Sequence, residues 1–430
     1  MNVAVVGLWH LGSVTAASLA VGGHDVVGVD FDADTIRGLR SGKAPVFEPG
    51  LDDAIATSMA AGRLSFSDDP TAVAACEIVW VTYDTPVDDD DRADVDFVVA
   101  QVGRVLPLLG DGALVLVSSQ MPVGSIARLE QLLATIRPGA RVTFGYSPEN
   151  LRLGKALAVF QQPDRVVVGL RDDGDRARVV ALLAPFTSRI EWMSVESAEM
   201  TKHALNAFLA TCVTFANEIA MLCEVTGADA KEVERGLKSE SRIGPGAYLG
   251  PGAAFAGGTL ARDLMFLSQL AEQHQRPARL LAAARTSNDA HKQWAAQRLK
   301  LELGDLRGRR IAVWGLTYKP GTNTLRRSSA VELCKRLHDE GATVSAHDPA
   351  VTELPPDLSW LQLAPTALDA AKGASALVVA TPWPDYRNIT AAQLVDVIDQ
   401  PVVLDAARFL AVSLGADPRV RYVTVGQGAK

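Results

Sequence analysis

Lys202 and Asn206 stand four residues apart in a segment, Ser197 to about Cys223, that contains no proline or glycine. As a helix, it sets an ammonium and an amide on one face. A cation held in a dry pocket is well suited to stabilising a developing alkoxide. Further on, Arg242–Asp263 is rich in glycine, yet it also carries Arg242, Tyr248, Phe255, Arg262 and Asp263. Glycines such as Gly257 and Gly258 let main chain turn sharply and approach a ligand. The aromatic and charged residues are of the kind that line a pocket. At the start of the chain, Gly7-Leu8-Trp9-His10-Leu11-Gly12 is followed 18 residues later by Asp30. That spacing predicts a dinucleotide turn between a strand and a helix. Asp30 would accept hydrogen bonds from ribose hydroxyls and repel a 2′-phosphate, which selects NAD over NADP. Trp9 stands where a glycine normally admits the pyrophosphate, although the helix N-terminus behind it still offers N–H groups. The four cysteines, Cys76, Cys212, Cys223 and Cys334, have no metal-like spacing, so no metal site is expected.

The elements that must position these residues follow from hydrophobic periodicity. Strands are expected at Asn2–Val6, Asp25–Val29, Ile78–Thr82, Leu114–Val117, Val142–Phe144, Arg165–Val168 and Ile190–Trp192. Helices over Leu11–Ala20, Ala33–Leu39 and Phe97–Leu108 alternate with the first of them, which argues for a doubly wound, mostly parallel sheet. The long helix from Ser197, with Ser197 as N-cap and Glu199 in its first turn, suits a spine. Its apolar Met200, Ala204, Phe208 and Phe215 recur roughly at helical spacing. Helices over Lys231–Leu237, Leu260–His274 and Arg279–Leu303 come next. A second strand–helix alternation restarts after Gly308, with strands at Ile311–Trp314, Thr343–Ala346, Ala376–Ala380 and Val402–Leu404 and a helix over Ala330–His338. The expected architecture is two Rossmann-like α/β domains joined by a long central helix and a helical dimerisation domain. The boundaries fall at 1–196, 197–304 and 305–430.

The chain has 430 residues, 48% of them hydrophobic, a net charge of −8 and a pI near 5.5. Such a chain supports two or three cores. Its acidity argues against a nucleic-acid surface. Scattered cysteines suit a reducing cytoplasm. No leader is read at the N-terminus, and no membrane span is expected. The run Asp88–Asp91 reads as a solvated loop tip.

The chain resembles the UDP-glucose/GDP-mannose dehydrogenase family from Asn2 to about Gly428. Thr82-Tyr83-Asp84-Thr85-Pro86 is similar to its Val-Pro-Thr-Pro loop, and Ser118-Ser119-Gln120-Met121-Pro122 to its Lys-Ser-Thr-Val-Pro loop. Ser147-Pro148-Glu149-Asn150-Leu151-Arg152 resembles Asn-Pro-Glu-Phe-Leu-Arg, and Lys202-x-x-x-Asn206 has the same form in the family. Gly315-Leu316-Thr317-Tyr318-Lys319-Pro320 resembles Gly-Leu-Ala-Phe-Lys-Pro, and Arg326 continues that motif. The resemblance implies Lys202 and Asn206 at the reacting oxygen, with Glu149 and Asp263 handling water or protons. It implies Gly7, Trp9, His10, Leu11, Gly12, Asp30, Thr85, Ser119 and Arg326 at NAD. Leu151, Arg242, Tyr248, Gly257, Lys319 and Arg408 would meet the nucleotide-sugar. It also implies a homodimer through the central helices.

One family feature is missing. The family follows Gly-Gly with Ser-Cys-Phe-Pro-Lys-Asp, whose cysteine is the nucleophile, whereas Gly257-Gly258 is followed by Thr259-Leu260-Ala261-Arg262-Asp263. Read from the glycine pair, Leu260 lies nearest the cysteine position and Thr259 matches the serine. The family oxidises an alcohol to an acid in two hydride transfers through a thioester. Three expectations remain for this chain: a two-electron NAD-dependent alcohol/carbonyl oxidoreductase, a four-electron enzyme working through an aldehyde hydrate, or a non-catalytic nucleotide-sugar-binding homologue.

Overall fold

The computed structural model describes residues 1–88, 92–149, 151–256 and 258–428. Two compact units divide the chain at Ala204/Leu205. In the first, the chain runs β1 (Asn2–Val6), α1 (His10–Val21), β2 (Asp25–Val29), α2 (Ala33–Arg40), α3 (Leu51–Ala60), β3 (Leu64–Ser67) and β4 (Ile78–Val81). It continues through α4 (Val95–Val105), β5 (Leu114–Val117), α5 (Ser125–Ile136), β6 (Thr143–Tyr146), α6 (Ala156–Gln161), β7 (Val166–Leu170), α7 (Arg176–Leu183) and β8 (Ile190–Met193). α8 (Val195–Thr226) leads into the second unit. There the order is α9 (Ala230–Ser239), α10 (Thr259–Gln273), α11 (Arg279–His291), α12 (Trp294–Leu303), β9 (Arg310–Trp314), α13 (Ser329–Asp339) and β10 (Thr343–His347). Finally come β11 (Gln362–Leu363), α14 (Ala367–Ala371), β12 (Ala376–Val379), α15 (Ala391–Val395), β13 (Val402–Asp405) and β14 (Arg421–Val423).

The first sheet is ordered β3-β2-β1-β4-β5-β6-β7-β8 and is parallel except between β6 and β7. Its central strands β4 (IVWV) and β5 (LVLV) are apolar and buried at every position because both faces are covered. Val3, Val5, Ile78, Trp80, Leu114 and Leu116 pack on the α1 side, while Ala4, Val6, Val79, Val81, Val115 and Val117 pack on the α4–α5 side. Each fully buried Val, Ile or Leu contributes about 1.5–3 kcal/mol of transfer free energy. The second sheet, β11-β10-β9-β12-β13-β14, is built the same way, with Ile311 and Val313 on one face and Ala312 and Trp314 on the other. Both sheets reverse strand order beside their first strand, at β1/β4 and β9/β12, which opens a crevice at the carboxyl ends. The expected fold class is therefore the observed one: two α/β sheets joined by a long helix.

Several local expectations need correction. α8 starts at Val195, and the Ser194 hydroxyl accepts the Ser197 N–H at 3.3 Å, so the cap is Ser194 and not Ser197. Glu199 does not serve its own helix end. It is fully buried, and its carboxylate accepts the N–H groups of Gly124 (2.8 Å) and Ile126 (3.0 Å) at the start of α5. Met200, Phe208 and Phe215 are 37%, 65% and 46% exposed, so the apolar stripe read in the sequence points outward. The face of α8 that turns inward carries Lys202, Asn206, Ala207 and Ala210. The single helix expected over Arg279–Leu303 breaks at Lys292–Gln293, and the break lets Trp294 enter the core of the second sheet. Of the aspartate run, Asp89–Asp91 lie outside the described residues; Asp88 accepts the Arg92 N–H at 2.9 Å.

Candidate active site

The dinucleotide turn is built by glycine geometry. Gly7 sits at φ +93°, and a Cβ there would lie 2.7 Å from the Tyr83 ring. A Cβ on Gly12 would come within 1.8 Å of the Gly7 carbonyl oxygen, so α1 packs on the turn as only glycine permits. Leu8 N–H donates to Asp30 at 2.6 Å, and Asp32 N–H donates to its other oxygen at 3.0 Å. Asp30 thus ties the end of β2 to the turn. Trp9 is the α1 N-cap residue and is half exposed, so its indole is not packed into the turn. His10 bonds Glu48 at 2.9 Å, and Leu11 is buried.

Thr85 hydroxyl donates to the Gln120 carbonyl at 2.7 Å and joins the loops after β4 and β5. Beside it Ser119 is fully buried, and its hydroxyl has no hydrogen-bond partner. An orphaned hydroxyl normally costs about 1–3 kcal/mol. With the glycine turn and the open α1 N-terminus, it makes a setting that fits a dinucleotide.

Glu149 and Lys202 meet in the same unit. Lys202 is 5% exposed; its Nζ donates to the Glu149 carbonyl at 2.5 Å and lies 3.7 Å from Glu149 Oε1. Glu149 Oε2 accepts the Leu151 N–H at 2.6 Å, which turns the carboxylate back over its own loop. A small apolar cavity of ≈ 80 Å³ lies against Glu149, walled also by Leu11, Trp80, Ser118 and Leu151; Lys202 is not among its walls. Low local polarity strengthens any interaction the ammonium makes.

In the second unit Asn206, one turn beyond Lys202 on α8, donates through Nδ2 to Asp263 Oδ2 in a short bond. Both residues are buried. Asp263 lies on α10, which runs unbroken from Thr259, with Gly258 as its N-cap at φ +100°. Gly257 lies outside the described residues. Three buried side chains that the sequence did not single out hold the glycine-rich loop. Asn217 accepts Gly252 N–H at 2.9 Å, Asn288 makes two 2.9 Å bonds with the Phe255 backbone, and His291 bonds the Gly252 carbonyl at 2.8 Å. Amide side chains on otherwise apolar helix faces were the available signal.

The residues expected at the nucleotide-sugar are dispersed. Arg242 is exposed and paired with Glu240 at 3.0 Å; Tyr248 is 58% exposed. Lys319 is half-buried and Arg326 exposed, both on the loop between β9 and α13. Arg408, at φ +58°, gives Nη1 to Asp229 at 2.8 Å and keeps Nε and Nη2 buried without a partner. A cavity of ≈ 180 Å³ opens at the carboxyl ends of β12 and β13, walled by Ala253, Ala254, His291, Ser329, Val379 and Ala406. Arg242, Tyr248, Lys319 and Arg408 are not among its walls. Burial pushes the thiols of Cys76, Cys212 and Cys334 up, Cys334 to about 12, so these are poor thiolates.

A doubly wound sheet with a glycine turn, followed by a buried lysine beside a glutamate, defines an NAD-dependent oxidoreductase. Sequence profiles make the assignment specific. Those of the UDP-glucose/GDP-mannose dehydrogenase family match as NAD binding domain over residues 1–187, central domain over 196–290 and UDP binding domain over 312–412. The chain belongs to this family. A UDP-glucose 6-dehydrogenase of Rhizobium meliloti is 35% identical over 99% of this chain and 100% of its own length. One from Pseudomonas aeruginosa is 32% identical over 99% and 98%. The solved structure of a UDP-glucose dehydrogenase from Pyrobaculum islandicum superposes with a TM-score of 0.87 at 29% identity, covering 100% of this chain and 98% of that one.

Proposed function

We propose that this chain is an atypical member of its family that oxidises the alcohol of a nucleotide-linked sugar by a single hydride transfer and stops at the carbonyl. The observation that carries the reading is selective loss. The buried Lys202–Glu149 and Asn206–Asp263 contacts are kept, while the segment from Gly258 to Asp263 holds no cysteine. Because α10 is continuous from Thr259 to Asp263, the register counted back from Asp263 puts Thr259, rather than Leu260, four residues before the aspartate. That is the family cysteine's distance. An unactivated hydroxyl is a poor nucleophile, so no thioester forms there.

NAD, when bound, accepts the hydride. Lys202 holds the alcohol oxygen and stabilises the charge left as its proton departs. Glu149, directly or through an ordered water, receives that proton. Asn206 keeps Asp263 oriented on α10. The turn Gly7–Gly12 with Asp30, Thr85 and Ser119 takes the cofactor, with Arg326 contributing. Leu151, Tyr248, Gly257, Arg242, Lys319 and Arg408 take the nucleotide-sugar; the two unpaired N–H donors of Arg408 suit a diphosphate.

The domain limits that follow are 1–196, 197–304 and 305–430. The outward apolar face of α8 supports a homodimer, and four free cysteines suit the cytoplasm. α8 is also long and apolar enough to cross a membrane, but its buried Lys202 and Asn206 favour a core spine.

Calorimetry with NAD, followed by a count of NADH formed per UDP-sugar consumed, tests the reading. One NADH per sugar is expected. Two would favour the four-electron route through an aldehyde hydrate with Glu149 or Asp263 as base. Failure to bind NAD would favour a non-catalytic nucleotide-sugar-binding role, to which Trp9 would point.

A further inference from the structure

We propose that Glu48 is a positioning residue that locks the dinucleotide turn to the loop carrying Glu149, so that cofactor affinity and carboxylate placement are set together. The inference rests on reading Gly7–Gly12 as the cofactor turn. Glu48 lies between Phe47 and Pro49, just before α3, and its side chain is 1% exposed. Oε2 accepts His10 Nε2 at 2.9 Å and Gly154 N–H at 2.8 Å, while Oε1 accepts Ala156 N–H at 2.8 Å.

A buried carboxylate is costly unless its acceptor sites are filled. Here three donors fill them, and they come from two segments 38 and more than 100 residues away. An ionised carboxylate only accepts, so His10 must carry its proton on Nε2. His10 is the first residue of α1, and its neighbours Trp9 and Leu11 belong to the backbone that meets a pyrophosphate at a helix N-terminus. Gly154 and Ala156 lie five and seven residues after Glu149, whose carbonyl holds Lys202. One rigid carboxylate therefore sets the distance between the cofactor's anchor and the Glu149–Lys202 pair. Neither arm can shift without leaving a donor or an acceptor buried and unpaired.

Glu48→Gln keeps the shape but turns one acceptor into an NH₂ facing an N–H. His10→Phe removes one arm alone. Asp52→Ala is the control, since it removes the acceptor of a different clasp on the same segment, the 2.9 Å bond from Ala44 N–H. NAD affinity of the full-length protein is measured by calorimetry, alongside kcat, KM and Tm. Glu48→Gln and His10→Phe should each weaken NAD about tenfold, and the double variant should be no weaker than the worse single one. Glu48→Gln should lower kcat further than His10→Phe, because it alone also disturbs the Glu149 loop. Additive losses, or a Tm drop like that of Asp52→Ala with NAD affinity within about twofold of wild type, would overturn the proposal. If wild type binds NAD but forms no NADH, the oxidoreductase reading fails while the binding cycle still decides the role of Glu48. If wild type binds no NAD, both fail.

Discussion

Lys202 is the residue on which the proposed chemistry turns. Its ammonium is almost wholly inside the protein, with the Glu149 carbonyl as its hydrogen-bond acceptor. A methionine there keeps the packing and removes the charge. Lys202→Met should lower kcat about 10²–10³-fold, with a smaller change in KM, in steady-state NADH formation. An equal loss in KM alone would assign Lys202 to ground-state binding. Thr259 carries the second residue-scale prediction. Thr259→Cys places a thiol at the start of α10, where the helix dipole lowers thiol pKa. The NADH count per sugar should then move from one toward two. A ratio that stays at one, with the new thiol titratable by a maleimide, would show that more than the thiol was lost. Lys202 was legible because its meaning lies in type and local spacing, whereas the sequence set Leu260 at the cysteine position and only the unbroken α10 favours Thr259. Glu48 and Asn217 were not, since their partners lie on distant segments.

At the scale of elements, Glu199 shows how a helix-end rule can be misread. Carboxylates favour helix N-termini, and Glu199 obeys that rule for α5 instead of α8. Burial, opposed by the N–H bonds of Gly124 and Ile126, leaves its carboxyl above the ordinary 4.5. A carboxyl that holds its proton more tightly when folded contributes most below the unfolded value and loses that contribution as pH rises through the folded one. Urea unfolding of wild type and Glu199→Gln across about pH 4 to 8 checks this. Wild type should lose stability relative to the variant as pH rises; parallel curves would refute it. The elements themselves were largely readable, because the central strands are apolar throughout and helices such as α2, α4 and α13 open on a capping Asp32, Asp94 or Ser328. Helices α3 and α7 were passed over because each is short and lightly patterned; α5, as long as α1, was simply missed.

At the scale of the whole molecule, both units hold histidines that burial pulls below 6.5: His24 in the first, His291 and His347 in the second. The unfolded chain takes up protons that these folded imidazoles resist. Their contribution is present above 6.5 and lost as pH falls through the lower folded values. The urea midpoint should therefore drop on moving from about pH 7.5 to 5.5, and His291→Gln should shrink the drop. The exposed Phe208, Phe215 and Leu222 of α8 bear on assembly. Light scattering should give a dimer for wild type and a monomer for Phe208→Glu; a monomeric wild type would remove the dimer from the proposal.

The sequence by itself determined two mostly parallel sheets, the glycine turn with Asp30, the Lys202/Asn206 spacing and a segment from Gly258 to Asp263 without cysteine. All of these are matters of local pattern and residue type. Only the tertiary structure decided that the apolar face of α8 looks outward and that Glu199 caps a neighbouring helix. It also decided that Asn206 meets Asp263 and that Glu48 joins His10 at the start of α1 to Gly154 and Ala156. Those facts depend on which distant segments share a buried volume, where an unpaired polar group costs more than any local preference gains.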